Sequence, residues 1–459
     1  MKQLIIRRLC LLLFSMAVIH SSAQIMNIHF KNGGSTNYDT NSIDYIDFTI
    51  DEDKPDDPPQ ENVAERTVMV YMSGDNNLSS AAMSDVDEMK EGSASIPSNC
   101  RLVLFVDRNY GNEKPYIAEI KNNQQIETLY TYPNDFYASD PNLFSQVLQR
   151  IADLCPAKEY GLVLWGHGSG WLVESDTIAQ KRAYGIDETG SGNGGKWMNF
   201  TQMARALENQ NVLPKLNYIF IDCSNMMCVE VGYELRNVTE YLIGSPAEIP
   251  GYGAPYKLIV PQLFKSGSNL YRGIIDTYYD YYADFNNLNY AEKASWPYME
   301  EGYSVPMSVI DTKYVGDLAN KTHDMLERAQ GGYPVYPQSP DLSGIAFYCY
   351  NTYSLWPVDM MYDMRAIMER LLSAEDFATW DKTYQQTVPY YRMSMKWMTE
   401  FQQQINAFSV FDSNLHYGCV SMFIPRVGQS YSYGSMPLNQ TVQNFAWTQA
   451  MDWKRFGWE

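Results

Sequence analysis

Two stretches of the sequence place reactive side chains directly after an apolar run. His167 follows the run in "LVLWGHGSGW", and Asp222, Cys223 and Ser224 follow the run in "YIFIDCS". An imidazole titrates near neutral pH and suits a general base or acid. A thiol or a hydroxyl suits a nucleophile, provided that a base activates it. The two stretches together therefore indicate a site for base-assisted covalent chemistry.

The first stretch leaves two interpretations of its histidine open. Glycines flank His167, so the backbone there can approach a substrate closely. The backbone amide of Gly168 is then a candidate donor to an oxyanion. The alternative is a turn histidine without a chemical role.

Strand alternation separates the three polar residues of the second stretch. Successive side chains of a strand point to opposite faces, so Asp222 and Ser224 share one face and Cys223 takes the other. Asp222 is a candidate for lining a pocket that takes a basic side chain. Alternatively it caps a helix that begins near Asn225. Cys223 and Cys228 are both interpreted as buried structural thiols.

The elements that must position these residues alternate between apolar strands and amphipathic helices. Strands are predicted at 67–72, 101–107, 160–168, 216–222, 344–350 and 418–425, with a hairpin at 115–132. Helices are predicted at 79–92, 142–155, 199–210, 269–285 and 311–329, with Ser79 as the cap of the first. This order predicts an α/β fold with a mostly parallel sheet flanked by helices on both faces. Both reactive stretches fall at the carboxyl ends of strands, where active groups of such sheets lie.

The N-terminal region is predicted to consist of three segments. Residues 1–23 have the basic start, the apolar middle and the small residues of a signal peptide, so we expect export to the periplasm, the cell surface or the medium. A short membrane anchor is the alternative, although the apolar run is too short to span a bilayer, and no later segment is predicted to be transmembrane. Residues 24–50 predict a small β-hairpin unit and residues 51–66 an acidic, proline-rich linker. The main domain is then expected to span 67–459.

Composition argues against several classes of partner. The formal net charge is −20 and becomes −23 once residues 1–23, which hold three basic residues, are removed. A chain this acidic repels nucleic acid and anionic membranes. Its cysteines and histidines do not have the spacing of a zinc site.

Four motifs, in this order, carry a resemblance to the clostripain family of secreted bacterial cysteine peptidases. They read "TVMVYMSGDNNLS" with "DVDEM", "LVLWGHGSGW", "DCSNMMCVEVGYELRN" and "IGSPAEIPGYGAPY". The resemblance is good over residues 66 to 265 and weaker beyond. It implies a caspase-like fold, a His–Cys dyad, cleavage of proteins or peptides after Arg or Lys, and often self-cleavage. It also implies calcium as a cofactor, although neither "GDNN" nor "IDETG" matches an EF-hand loop, and no metal ligand is assigned.

The resemblance assigns roles to individual positions. The family histidine falls on His167, with Gly168 behind it, and the pocket aspartate falls on Asp222. The variable residue falls on Cys223, and the nucleophilic cysteine falls on Ser224, which is a departure from the family. The remaining assignments are Ser245 and Glu248 in the pocket wall, and Lys181 and Arg182 as a candidate self-cleavage site.

A serine at the nucleophile position leaves several alternatives open. The chain is a degenerate peptidase that still binds basic side chains through Asp222, or an active hydrolase using Ser224, or an enzyme in which Cys223 reaches His167. A non-catalytic surface binding protein for basic peptides is a further alternative. A hydroxyl is harder to deprotonate than a thiol, and serine hydrolases rely on an imidazole oriented by a carboxylate. The sequence does not identify such a carboxylate, although four acidic residues follow His167: Glu174, Asp176, Asp187 and Glu188. The degenerate alternative is therefore favoured.

Overall fold

The fold is described from a computed structural model of the chain. The described residues are 25–29, 35–39, 63–109, 111–171, 184–188, 195–208, 213–288, 302–329, 341–351, 358–400, 403–406, 412, 414–425, 432–433, 436–437 and 442–452. The predicted signal peptide, 1–23, lies outside them. The chain divides into two units, Met1–Gln60 and Glu61–Glu459, and the candidate site lies in the second.

The first unit contains a two-stranded antiparallel sheet. Strand β1 (Ile25–His29) pairs with β2 (Ser35–Asp39), and Ile25 lies opposite Asp39. These strands lie within the hairpin unit predicted at 24–50.

The second unit starts earlier than predicted, because its first strand begins at Ala64. Residues 64–66, assigned to the linker, therefore belong to the sheet, and most of the predicted linker lies outside the described residues. The reason is Arg66, which looks like a linker residue but is only 4% exposed. Its guanidinium donates to a carboxylate oxygen of Glu159 at 2.7 Å and to the carbonyl of Lys265 at 2.6 Å. Partners that far along the chain cannot be read from the local pattern.

Strands and helices alternate through most of the second unit. Its strands are β3 (Ala64–Gly74), β4 (Cys100–Arg108), β5 (Tyr116–Ile120), β6 (Ile126–Thr131), β7 (Ala157–Trp165), β8 (Tyr184–Asp187), β9 (Lys196–Met198), β10 (Leu216–Asp222), β11 (Thr239–Gly244), β12 (Met307–Asp311), β13 (Phe347–Asn351), β14 (Val358–Asp363), β15 (Tyr390–Arg392), β16 (Lys396–Glu400), β17 (Gln403–Asn406), β18 (Ser421–Met422), β19 (Ser432–Tyr433) and β20 (Met436–Pro437). Its α-helices are α1 (Ser79–Gly92), α2 (Pro141–Leu154), α3 (Phe200–Glu208), α4 (Val229–Glu234), α5 (Tyr256–Leu263), α6 (Ser268–Ala283), α7 (Thr312–Ala329), α8 (Met364–Leu371), α9 (Ala374–Thr387) and α10 (Ala446–Met451).

A nine-stranded sheet forms the centre of the second unit. Its strand order is β15-β12-β11-β10-β7-β3-β4-β5-β6. The five central strands, β11, β10, β7, β3 and β4, run parallel to one another. The outer strands on both sides are antiparallel to their neighbours. The carboxyl ends of β7 and β10, which carry the two reactive stretches, are adjacent at one edge of the sheet.

Helices cover both faces of this sheet, because its strands are apolar on both. Along β3, Met69 and Tyr71 pack into one core, whereas Val68, Val70 and Met72 pack into the other. Helices α2, α3, α4 and α7 to α10 contribute to the first core, and helices α1, α5 and α6 contribute to the second. The predicted α/β architecture with a mostly parallel sheet is therefore confirmed.

Most predicted elements are present, with shifts at their ends. Ser79 does not cap α1: its Oγ donates to the carbonyl of Asn109 at 3.0 Å, and Leu78 holds the cap position. The strand predicted at 418–425 is reduced to Ser421–Met422. The helix expected near Asn225 begins instead at Val229.

Candidate active site

The two reactive stretches meet at the edge of the sheet. Strands β7 and β10 pair in parallel, with Trp165 opposite Asp222. His167 and Ser224 each lie two residues beyond this pair, so both enter the same region. A cavity of about 90 Å³ lies there, and it is lined by Asn77, Leu78, Trp165, Gly166, His167, Asp222, Ser224, Glu248, Ile249, Pro250, Gly251 and Gly253.

His167 is half-buried at the rim of this cavity and has a defined hydrogen bond. Its carbonyl accepts from the backbone amide of Gly185 at 2.9 Å, which fixes the backbone. Its ring nitrogen Nε2 lies 2.7 Å from Oδ1 of Asn77. Burial lowers the pKa of His167 to about 4, so the imidazole is neutral at pH 7.

Asn77 is a site residue that the sequence reasoning missed. It is presented by the turn between β3 and α1, and this turn is held by the buried side chain of Asn76. Nδ2 of Asn76 donates to the carbonyls of Ser73 (3.1 Å) and Ile186 (2.7 Å), and its Oδ1 accepts from the amide of Leu78 at 2.8 Å. The "GDNN" segment that contains Asn77 does not match an EF-hand loop, and no role for Asn77 follows from the sequence alone.

Ser224 and Cys223 lie on opposite faces, as strand alternation predicts. Ser224 is half-buried in the cavity, and its Oγ accepts from the amide of Ile249 at 3.2 Å. Cys223 is fully buried in the opposite core, and its Sγ donates to the carbonyl of Leu164 at 3.5 Å. Burial raises the pKa of the Cys223 thiol well above its usual value. This geometry argues against Cys223 as the nucleophile.

Asp222 lies beneath the cavity and is only 3% exposed. Its Oδ2 accepts from the amide of Ala254 and the hydroxyl of Tyr256, both at 2.9 Å, and its Oδ1 accepts from the hydroxyl of Tyr278 at 3.1 Å. Burial raises the pKa of Asp222 to about 6, while these hydrogen bonds act in the opposite direction. Asp222 therefore does not cap a helix: the N-cap residue of α4 is Cys228, and the side chain of Cys228 makes no capping hydrogen bond.

A second buried carboxylate, Asp85, lies close to Asp222. The indole Nε1 of Trp165 donates to Oδ2 of Asp85 at 2.6 Å. A Cβ placed on Gly253 would lie 2.7 Å from Oδ2 of Asp222 and 3.2 Å from Oδ2 of Asp85. Since φ of Gly253 is +61°, glycine satisfies both the backbone and the space at this position. Asp85 lies in the "DVDEM" motif, but it is one of three acids there and the local sequence does not single it out.

Of the two residues assigned to the pocket wall, one lines the cavity and the other does not. Glu248 lines the cavity. Ser245 is 1% exposed and does not line the cavity: its Oγ accepts from the amide of Ala247 at 3.1 Å and its carbonyl from the amide of Met227 at 3.0 Å. Ser245 therefore stabilises the loop that carries Ser224 and is not positioned to bind a ligand in the cavity.

Gly168 has a packing reason for being a glycine. A Cβ there would lie 2.7 Å from the carbonyl oxygen of Ser224 and 2.8 Å from Cβ of Cys223. Its amide as an oxyanion donor stays a prediction. Lys181 and Arg182, the candidate self-cleavage site, lie outside the described residues.

The C-terminal part of the chain also holds the loop after β10. The amide of Ser421 donates to the carbonyl of Met227 at 3.0 Å. The amide of Phe423 donates to Oε1 of the buried Glu230 at 2.7 Å. The loop that presents Ser224 is therefore held both by the turn at Ser245 and by the C-terminal segment at Ser421 and Phe423.

This arrangement provides a neutral imidazole and a hydroxyl at one cavity, and among the described residues the ring partner of His167 is Asn77 and not a carboxylate. Asp187 is buried elsewhere, where it accepts from the amide of Ala138 at 2.5 Å, and Glu188 is exposed. Glu174 and Asp176 lie outside the described residues. Within the described ranges, His, Cys, Asp and Glu side chains form no group of three or more that could hold a metal ion.

The chain is similar to known proteins over most of its length. The sequence model of the clostripain family matches residues 70–458. The chain belongs to the clostripain family. This confirms the predicted resemblance and extends it well beyond the motifs that carry it.

Individual members of the clostripain family show the same relation. Clostripain from Hathewaya histolytica is 24% identical over a match of 232 positions, which covers 44% of this chain and 42% of clostripain. The match thus spans less than half the length of that relative. Among solved structures, a secreted C11 cysteine protease from Bacteroides thetaiotaomicron, in complex with an irreversible peptide inhibitor, is 28% identical with a TM-score of 0.67, over 85% of this chain and 99% of that chain.

An inactive zymogen C11 protease from Parabacteroides distasonis has a TM-score of 0.63 at 23% identity, over 85% of this chain and 98% of that chain. At this identity the likeness concerns the fold. The caspase-like expectation for the fold is confirmed by these C11 relatives. No helix within the described ranges combines the length and the apolar character needed to cross a membrane.

Proposed function

We propose that this clostripain-family protein binds an Arg or Lys side chain of a peptide in the cavity above Asp222 and hydrolyses that peptide weakly or not at all. Ser224 takes the nucleophile position in this proposal, and His167 takes the position of the base. The observation that carries it is the shared cavity: His167, Asp222 and Ser224 all line it, whereas Cys223 lies in the core on the other face.

The charge of the cavity supports a basic ligand. Within the described residues no cation pairs with Asp222, and burial raises its pKa to about 6. A guanidinium or ammonium group would compensate a carboxylate that has been removed from water. None of the described residues that line the cavity is Lys or Arg, while Leu78 and Trp165 offer apolar surface to an aliphatic stem.

The chemistry of the pair supports weak turnover. A pKa of about 4 makes His167 a poor base toward a hydroxyl. Its described ring partner is the neutral amide of Asn77 rather than a carboxylate. Serine hydrolases depend on a carboxylate to stabilise the imidazolium that forms. In this proposal the described residues supply the groups for binding, whereas none of them supplies the carboxylate that a serine nucleophile requires.

Export and processing are part of the same proposal. Residues 1–23 would act as the signal peptide, and one relative is described as a secreted protease. The hairpin unit and the linker would precede the peptidase-like domain on the exported chain. We expect the purified protein to remain one chain, without cleavage at Lys181 or Arg182. Calcium stays an expectation from the family alone.

The test compares binding with turnover on residues 24–459, with calcium present. Fluorescent peptides that differ only in having Arg, Lys, citrulline or norleucine at one position are titrated against wild type, Ser224→Ala, Ser224→Cys and Cys223→Ala. Citrulline is the matched control, because it keeps the shape of Arg without the charge. We expect Arg and Lys peptides to bind at least tenfold more tightly than citrulline in all four proteins, and turnover to rise at least 100-fold only in Ser224→Cys.

Other outcomes would contradict parts of the proposal. Equal affinity for Arg and citrulline peptides would remove the basic pocket. Turnover by wild type that disappears in Ser224→Ala would make the protein an active serine-type hydrolase. Turnover that disappears in Cys223→Ala would reinstate Cys223 as the nucleophile.

A further inference from the structure

The His167 ring makes one hydrogen bond within the part of the chain that the structure describes, and its partner is Asn77. Nε2 lies 2.7 Å from Oδ1 of Asn77. An amide oxygen only accepts, so Nε2 must carry the proton. In the neutral ring Nδ1 then carries the lone pair. The contact therefore selects one of the two neutral tautomers.

The backbone of the turn that carries Asn77 is fixed by the preceding residue, Asn76. Asn76 is buried, and three side-chain hydrogen bonds tie it to the backbone of Ser73, Ile186 and Leu78. The amide of Asn76 also donates to the carbonyl of Gly74 at 2.8 Å. Asn77 itself is exposed at the cavity rim. A buried neighbour thus fixes the backbone, and the exposed residue contacts the imidazole.

We propose that Asn77 is a positioning residue for His167 and the third member of a Ser224–His167–Asn77 arrangement. Its amide oxygen holds the proton on Nε2, so that Nδ1 accepts the proton of a nucleophile at position 224. This inference rests on the proposed role of His167 as the base, and it names the group that orients that base.

The proton balance of the step assigns each group a role. Oγ of Ser224 forms a bond to the peptide carbonyl carbon, and its proton moves to Nδ1 of His167. The electron pair of the carbonyl π bond moves to the carbonyl oxygen. His167 becomes an imidazolium whose Nε2–H still donates to Asn77. Because the amide is neutral, Asn77 orients the ring but does not supply the charge that would stabilise the imidazolium.

The tautomer is measured directly by ¹⁵N NMR of protein labelled at histidine. The chain from residue 24 onward has four histidines, and a His167→Gln sample assigns the signal of interest. In wild type we expect a proton on Nε2 and none on Nδ1. Asn77→Ala should give a mixture of both tautomers. Asn77→Asp should keep the wild-type tautomer and raise the midpoint of the His167 titration by at least one pH unit, since a carboxylate favours the imidazolium.

A kinetic readout is made on the Ser224→Cys background. Asn77→Ala should lower kcat at least tenfold with little change in KM, and Asn77→Asp should restore most of it with a shifted pH profile. The control is Asn112→Ala, because Asn112 is an exposed asparagine in the turn after β4.

Two results would overturn the inference. One is an Asn77→Ala protein whose His167 tautomer and titration equal those of wild type. The other is a kcat that falls equally in Asn77→Ala and Asn112→Ala. If Ser224→Cys has no turnover, the proposed roles of position 224 and His167 fail, but the NMR measurement still decides whether Asn77 orients the imidazole.

Discussion

Replacing Asp222 with asparagine is expected to stabilise the fold at alkaline pH and to remove the proposed preference for basic side chains. Burial raises the pKa of Asp222 to about 6 from an ordinary value of 3.8. A folded pKa above the unfolded one means that the folded state binds the proton more tightly. The stability this provides is complete below pH 3.8 and is lost as the pH rises through 6.

The magnitude follows from this shift. At 1.36 kcal/mol per pKa unit, ionised Asp222 costs the fold about 3 kcal/mol relative to its protonated form. Asparagine does not ionise, so Asp222→Asn avoids this cost at every pH. It does lose acceptor capacity toward Ala254 and Tyr256, which offsets part of the gain equally at all pH values. The difference between variant and wild type should therefore favour the variant by about 2–3 kcal/mol more at pH 8 than at pH 4.

The assay is denaturant unfolding followed by tryptophan fluorescence, at pH 4 and pH 8, on wild type and Asp222→Asn. The control is Asp317→Asn, which changes an exposed aspartate of α7 and should leave the pH dependence as it is. In parallel, Arg and citrulline peptides should bind Asp222→Asn equally weakly. A variant that is destabilised by the same amount at both pH values would refute the reasoning, because Asp222 would then act through its hydrogen bonds and not through its charge.

Two further predictions concern other buried positions. Gly253→Ala places a Cβ 2.7 Å from Oδ2 of Asp222 at φ +61°, so it should cost about 1–3 kcal/mol more in unfolding free energy than Gly111→Ala, which has φ +60° and nothing within 4 Å. Equal losses in the two variants would show that the structure accommodates a Cβ at position 253 next to Asp222 without an additional cost. Burial and the neighbouring Asp187 raise the pKa of Asp107 to about 9, so its contribution to stability is lost as the pH rises from 3.8 through 9. Asp107→Asn should flatten the decline of the denaturation midpoint between pH 6 and pH 9, and an unchanged slope would contradict the assignment.

The sheet and its helices could be predicted because buried apolar residues recur in the sequence with the period of each element. Strand β10 has the predicted bounds, and helix α1 does as well. Strand alternation also assigned Cys223 and Ser224 to their correct faces, since a period of two is a local property.

The rest of the site depends on contacts between distant segments. Asn77 and Asp85 become site residues only because β3, β7 and β10 lie side by side, and neither has a local pattern that differs from a turn or a charged helix. Ser245 was assigned to the pocket wall by resemblance, but the turn that contains it directs its side chain back to its own backbone. Side-chain direction in a turn is determined by such short hydrogen bonds, which hydrophobic periodicity does not encode.

The contact between Phe423 and Glu230 has a consequence for the order in which the molecule matures. The two residues are 193 positions apart in the chain, so their hydrogen bond closes a very long loop. It cannot form before Phe423 has been synthesised. Contacts of such high sequence separation form slowly. A nascent or newly exported chain can therefore build the central strands while the loop after β10, which presents Ser224, still lacks the contacts that Ser421 and Phe423 supply.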